Sequence, residues 1–186
     1  LRPYQEQALT EIRALYARGI KKVLLHLATG GGKTLIFCTV LKASYLKGKQ
    51  AIIVVKGKEL VEQASQRLMR EGVQHGVMQG THWNYRPREP IQVCSIDTLY
   101  ARRNKVKPPE ASLVVIDEAH YAGSKSYKWL IEHYADSFFL PVTATPHVKT
   151  GLRHVADEVV YPISVGDLIE QGYLSPPKYY APTAPD

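Results

Sequence analysis

Runs of consecutive apolar residues alternate along this chain with segments whose apolar positions return every three or four residues. Residues 23–27 (VLLHL), 51–55 (AIIVV) and 113–116 (LVVI) are continuous runs of strand length. Such runs predict strands buried on both faces. Between them, Ala8, Leu9, Ile12, Leu15 and Tyr16 recur at helical spacing over 3–18, and Gly19 stops the pattern. The same reading predicts helices over 33–47, closed by Gly48, and over 59–70, closed by Gly72. Short strands follow near 76–78 and 91–94, a further strand over 138–142, and a short helix over 165–171. Buried strands separated by amphipathic helices predict an α/β domain, a mostly parallel sheet with helices on both faces.

Composition narrows this little. The 186 residues are 45% hydrophobic and 22% charged, which suits one well-buried globular domain. No apolar run approaches the ~20 residues of a membrane helix, no membrane partner is expected, and no basic-then-apolar leader opens the chain. The first residue is Leu1, which fits a fragment of something longer. Cys38 and Cys94 lie far apart without metal-ligand spacing, so buried free thiols in a reducing compartment are expected, with Cys38 in the core. The histidines form no metal-binding pattern, and those without another role, His147 and His154 among them, are expected on surface turns. The net charge of +7 is uneven: between Arg86 and Lys107 six bases face two acids. A basic stretch of this kind suits a polyphosphate backbone and equally a solvated loop.

The chemistry lies where two of the apolar runs end. Ala28-Thr29-Gly30-Gly31-Gly32-Lys33-Thr34 follows the first run and opens the second helix. Three glycines let backbone N–H groups curl around an anion, and the helix start adds its positive end. Lys33 then reaches the β- and γ-phosphates, and the Thr34 hydroxyl ligates Mg²⁺. The longer phosphate-loop pattern asks for glycine at position 27, where this chain has Leu27; residues 28–34 read as the shorter form A-x-G-x-G-K-T. Asp117 and Glu118 end the 113–116 run. Adjacent carboxylates at a buried strand tip are costly unless a cation or its water shell offsets them. Asp117 is the expected magnesium partner through water, and Glu118 the expected base for the attacking water. The expected cofactors are ATP and Mg²⁺.

With these motifs the chain resembles the superfamily 2 helicases and translocases, in the DEAH-type branch of type III restriction motors, XPB-like and RadD-like enzymes. Arg2-Pro3-Tyr4-Gln5 resembles the Q motif, in which the glutamine reads the adenine edge and the arginine stacks on the base. Ala28–Thr34 resembles motif I, Asp117-Glu118-Ala119-His120 motif II, and Thr143-Ala144-Thr145-Pro146 motif III. The resemblance implies that His120, Thr143 and Thr145 couple hydrolysis to nucleic-acid contact. Val55-Lys56-Gly57-Lys58-Glu59-Leu60 resembles motif Ia, with Lys58 where arginine is frequent. Val93–Leu99 resembles motif Ib, with Asp97 where glutamine is usual. Lys58, Thr98, Arg102 and Arg103 are the implied contacts to nucleic-acid phosphates, which fix position without reading sequence. The cluster His82-Trp83-Asn84-Tyr85-Arg86 could stack on a base, but a surface hairpin with Trp83 packed inward is preferred.

The resemblance implies the first RecA-like domain of such a motor, over 1–174. Residues 175–186, with four prolines in 176–185, read as a connector to a second RecA-like domain of the same protein. No Q-x-x-G-R-x-x-R stretch that would supply arginine fingers is present. The implied function is ATP hydrolysis coupled to DNA, with DNA favoured over RNA by analogy, in the cytoplasm or at the nucleoid. The alternatives are an ATP-gated nucleic-acid-binding module without turnover and the motor part of a restriction enzyme.

Overall fold

The computed structural model describes residues 1–145 and 155–176. The elements run α1 (Pro3–Ala17), β1 (Val23–His26), α2 (Lys33–Leu46), β2 (Ala51–Val55), α3 (Lys58–Arg70), β3 (Gly76–Met78) and β4 (Ile91–Ser95). They continue with α4 (Ile96–Arg102), β5 (Leu113–Ile116), a 3₁₀ turn at Ala119–Tyr121, α5 (Lys125–His133), β6 (Phe138–Thr143), β7 (Glu158–Val160) and α6 (Val165–Glu170). The seven strands form one sheet in the order β3-β4-β2-β5-β6-β1-β7, and every pairing is parallel.

The apolar runs explain the order. All five residues of β2 and all four of β5 are buried, and these strands lie inside the sheet. Alternate side chains go to opposite faces. Ile53, Val55 and Val115 join the core under α1, α2 and α3, together with Ile12, Phe37 and Leu68. Ile52, Val54, Val114 and Ile116 join the opposite core with Leu99, Tyr127 and Leu130 from α4 and α5. Helix α3 shows why one stripe suffices: Val61, Ala64, Ser65 and Leu68 are buried at spacings of three and four.

Because the strands are parallel, their carboxyl ends meet on one edge, where open α/β sheets hold ligands. The chain leaves β1, β2, β4, β5 and β6 at that edge. Four elements were not foreseen. Helix α4 starts directly at the end of β4 and buries only Ile96 and Leu99, and α5 buries only Tyr127 and Leu130. The 3₁₀ turn and β7 span three residues each, and β7 has one buried side chain. None carries the length of pattern that announces an element.

Two local expectations are corrected. Trp83 does not pack inward: it is 71% exposed, and its neighbour Asn84 fills the interior instead at 4%. His75 is not on a surface turn but is buried, its Nε2 2.8 Å from Ser65 Oγ and its Nδ1 2.9 Å from the Val73 carbonyl. Cys38 and Cys94 are both buried and free. His147, His154, Pro146 and the prolines from position 177 onward lie outside the described residues.

Candidate nucleotide site and nucleic-acid face

The phosphate turn begins where β1 ends. Leu27 N–H donates to the Thr143 carbonyl at 3.1 Å, which ties the turn's root to the end of β6. Gly31 N–H then donates to the Ala28 carbonyl at 3.0 Å, closing the loop. Gly32 caps α2 with φ +88°, a left-handed conformation that favours glycine. A Cβ on Gly32 would collide with the Gln5 amide. A Cβ on Gly31 would sit 2.8 Å from Leu27 Cγ. The glycines thus make a bare backbone turn at the N-terminus of a fourteen-residue helix with no side-chain cap. Its free N–H groups and positive end suit an anion.

Helix α1 buttresses this turn. Tyr4 Oη donates to the Gly31 carbonyl at 2.7 Å, and Gln5 Nε2 donates to the same oxygen at 3.2 Å. Gln5 Oε1 accepts from Arg2 N–H at 2.9 Å, so its buried amide is held at both ends. Arg2 Nη1 donates to Tyr4 Oη at 3.0 Å, and its guanidinium lies 4.3 Å over the Tyr173 ring. Leu174 packs beside Gly30. A cavity of about 440 Å³ opens above the turn, lined by Leu1, Arg2, Gln5, Gly30, Thr34 and Arg67 among others. Thr29 and Thr34 are exposed at this surface. Arg67 comes from α3 and was not anticipated. Its Nη2 pairs with Glu71 at 2.8 Å, while its buried Nε has no hydrogen-bond partner among the described residues. One arginine among several on an amphipathic helix carries no sequence signal that would single it out.

The acidic tip follows β5. Glu118 is the one non-glycine residue with positive φ among the described residues, at φ 54° and ψ 54°. That conformation costs roughly 1–2 kcal/mol for a residue with a Cβ. Its N–H donates to Asp117 Oδ1 at 3.0 Å. His120 Nδ1 approaches Glu118 Oε2 to 3.1 Å, off the direction of a hydrogen bond. Burial raises the Asp117 carboxyl above the usual range, Glu118 raises it further, and Lys33 and His120 act against both. Lys33 is lowered by burial, while Glu118 and then Asp117 hold its proton on. The ammonium and both carboxylates therefore share one field.

Thr143 is fully buried at the end of β6, beside β1 through the His26–Thr143 register. Its hydroxyl accepts from Thr145 N–H at 3.1 Å and donates to the Thr145 carbonyl at 3.2 Å, which leaves Thr145 exposed next to the turn's root. The motif I, II and III residues thus cluster at one edge.

The expected nucleic-acid contacts lie along the same edge on the other half of the sheet. Lys58 opens α3 after β2 and is exposed, and the neighbouring Lys56 lies 4.5 Å over the Tyr121 ring. Thr98 Oγ1 accepts from Gly80 N–H at 3.2 Å, and Arg102 Nη2 donates to the Gly80 carbonyl at 2.9 Å. Arg103 lies 3.9 Å over the Tyr100 ring and donates to its carbonyl. Thr98, Arg102 and Arg103 are thus engaged within the chain, and Lys58 is free to turn outward.

A divalent ion fits the donor set. One hydroxyl and one carboxylate leave most of a shell to water and phosphate oxygens, the way Mg²⁺ is bound. Among the described residues no group of three or more His, Cys, Asp or Glu could hold a metal without such help. Among the described residues, too, no helix is long and apolar enough to cross a membrane.

Comparison with known proteins gives the chain a family. The family model of the type III restriction enzyme res subunit matches residues 1–148. IRC3 of Saccharomyces cerevisiae is 29% identical over 196 residues, covering 96% of this chain and 28% of its own length. The DNA 3'-5' translocase XPB2 of Sulfurisphaera tokodaii is 27% identical over 170 residues, covering 91% of this chain and 35% of its own. The chain thus spans about a third of these relatives. Among solved structures, a nuclease-deletion mutant of the type ISP restriction-modification enzyme LlaGI, in complex with a DNA substrate mimic, superposes with a TM-score of 0.70. It is 15% identical, covering 93% of this chain and 20% of that one. The chain belongs to the family of the type III restriction enzyme res subunit.

Proposed function

We propose that this domain binds ATP on the 28–34 turn and, paired with a second RecA-like domain of the same protein, hydrolyses it to ADP and phosphate to move along DNA. The observation that carries the reading is the shared field of Lys33, Asp117 and Glu118: a phosphate-binding turn and an acidic tip meet at one sheet edge. In this reading the N–H groups of residues 30–34 and the Lys33 ammonium hold the triphosphate. Thr34 and Asp117 hold Mg²⁺, which supplies charge neutralisation when bound. Glu118 orients the attacking water and accepts its proton, and His120 helps couple hydrolysis to nucleic-acid contact. Arg2 stacks on the base, and Gln5, which now grips Gly31, reads its edge. Thr143 and Thr145 carry the change at the phosphates to the nucleic-acid face. Lys58, Thr98, Arg102 and Arg103 meet the backbone there.

DNA is preferred over RNA because the relatives' names point to DNA translocation and restriction. Residues 1–174 are taken as the domain and 175–186 as its connector, and the protein is placed in the cytoplasm or at the nucleoid. The match to restriction motors supports a second reading, in which the motor serves cleavage by another part of the enzyme. Steady-state ATPase of the full-length protein with and without DNA tests the proposal. Glu118→Gln should keep nucleotide binding and lose about 10²–10⁴ in turnover. Unchanged turnover in that variant would remove Glu118 from its role. The isolated chain, without an arginine on the γ-phosphate, should turn over ~10³ or more times slower; brisk DNA-stimulated turnover by it would refute that step.

A further inference from the structure

The loop between β3 and β4 is built with more care than a connection of its length needs. Val77 N–H donates to the Asn84 carbonyl at 2.9 Å, and Asn84 Nδ2 donates to the His75 carbonyl at 3.2 Å. His82 is held by Glu62 at 3.2 Å, and its Nδ1 accepts from Asn84 N–H at 3.1 Å. Glu62 is itself braced by Gln66 at 3.0 Å. Residues 82 and 84 are therefore fastened inward, and the alternation drives Trp83 and Tyr85 out, 71% and 47% exposed. His82 stacks beside the indole with centroids 5.6 Å apart and planes 29° apart. Against Trp83 lies a hollow of about 310 Å³, walled by Met69, Val73, Gln74 and Arg86 as well. Met69 is 43% exposed.

A rigidly held indole beside an open hollow offers a π-face that any nucleobase can use. The flexible Met69 side chain adapts to different ring shapes on the other wall. Arg86 and the exposed Arg88 stand ready for the phosphates that flank a seated base. The loop also starts on the proposed nucleic-acid face: Gly80, three residues before Trp83, is gripped by Thr98 and Arg102.

We propose that the hollow between Trp83 and Met69 seats one unpaired nucleobase of a single strand, with Arg86 on its flanking phosphate. This rests on the reading that the domain acts on nucleic acid, and it adds a sequence-independent stacking site off the sheet edge. The test uses the full-length protein and fluorescence anisotropy of labelled oligomers: oligo-dT, oligo-U, a dT-length strand of abasic residues, and a blunt duplex. Trp83→Ala should weaken oligo-dT or oligo-U binding about tenfold, and Trp83→Phe, which keeps a ring, about threefold or less. On the abasic strand and the blunt duplex, Trp83→Ala should bind like the wild type, because the seat has no base to receive. The larger loss, on dT or on U, tells which strand is the ligand. Equal binding of oligo-dT and oligo-U by Trp83→Ala and wild type would overturn the seat while leaving nucleic-acid binding intact. So would an equal loss on the abasic strand, which would mark a packing role. Wild-type protein that binds none of the four probes would overturn the underlying reading as well. Because the indole is exposed, Trp83→Ala should melt with the wild type, which separates lost binding from lost folding.

Discussion

Gly32→Ala puts the geometry of the phosphate turn to a quantitative test. At φ +88° an alanine pays the left-handed strain, roughly 1–2 kcal/mol. Its Cβ would also enter the space of the Gln5 amide. That amide ends a flexible side chain, and elsewhere it could swing aside at little cost. Here it is 2% exposed, donates to the Gly31 carbonyl at 3.2 Å and accepts from Arg2 N–H at 2.9 Å. Displacing it disrupts two buried hydrogen bonds, each worth roughly 0.5–1.5 kcal/mol. The sum is a destabilisation of about 2–5 kcal/mol, read as a fall in the urea midpoint at unchanged slope.

A double-mutant cycle separates the two contributions. In a Gln5→Ala background the collision is gone, so Gly32→Ala should cost only the strain, and the coupling should be about 1–3 kcal/mol. Additive effects would mean that the Gln5 amide does not lie against Gly32. A single Gly32→Ala variant within about 0.5 kcal/mol of wild type would contradict the left-handed turn itself.

Further expectations concern the acidic tip, the second core and the thiols. Burial and Glu118 raise the Asp117 carboxyl, so its ionisation costs the folded state stability that is fully lost above the raised value and not lost at all below the ordinary aspartate value. Asp117→Asn should therefore unfold at higher denaturant than wild type at neutral pH, with the advantage vanishing as pH falls below the ordinary value; a constant or reversed difference would refute the assignment. Leu130→Ala, fully buried against the sheet from α5, should cost about 2–5 kcal/mol by denaturation, and a neutral result would remove α5 from the core. Burial pushes the Cys38 thiol up to about 12 and the Cys94 thiol up as well, so neither should react with a thiol reagent until the protein unfolds.

Much of this was legible in the sequence, and the reasons are specific. The strands 51–55 and 113–116 are uninterrupted because both faces of an inner parallel strand are covered, and such runs have few other readings. Lys33 and Asp117 were singled out because the expected chemistry asks for particular residue types just after buried strands. What escaped notice depends on contacts between distant positions. Trp83 faces outward because Asn84 found a partner in His75 and His82 one in Glu62, pairings that no spacing announces. Arg67 lines the cavity above the glycine turn only because α3 packs against α2, and Tyr173 meets Arg2 across nearly the whole chain. Helix α4 was hidden because it begins without a break from β4, where a strand pattern and a two-residue helical stripe overlap.

The strain at the site has a common direction. Glu118 holds a left-handed backbone, burial and Glu118 raise the Asp117 carboxyl, and burial lowers the Lys33 ammonium. Each costs the folded chain, and the three sit at the same edge. Nothing in the two hydrophobic cores requires them, since β5 would end as well in neutral residues. On the proposed reading, a polyanion bridged by a divalent cation would offset the two electrostatic penalties, giving Lys33 a counter-charge and Asp117 a cation. On that reading, nucleotide with magnesium should raise the melting temperature of the domain. Asp117→Asn should lose most of that rise while starting from a higher baseline, a crossing of effects that an ornamental acidic cap would not produce.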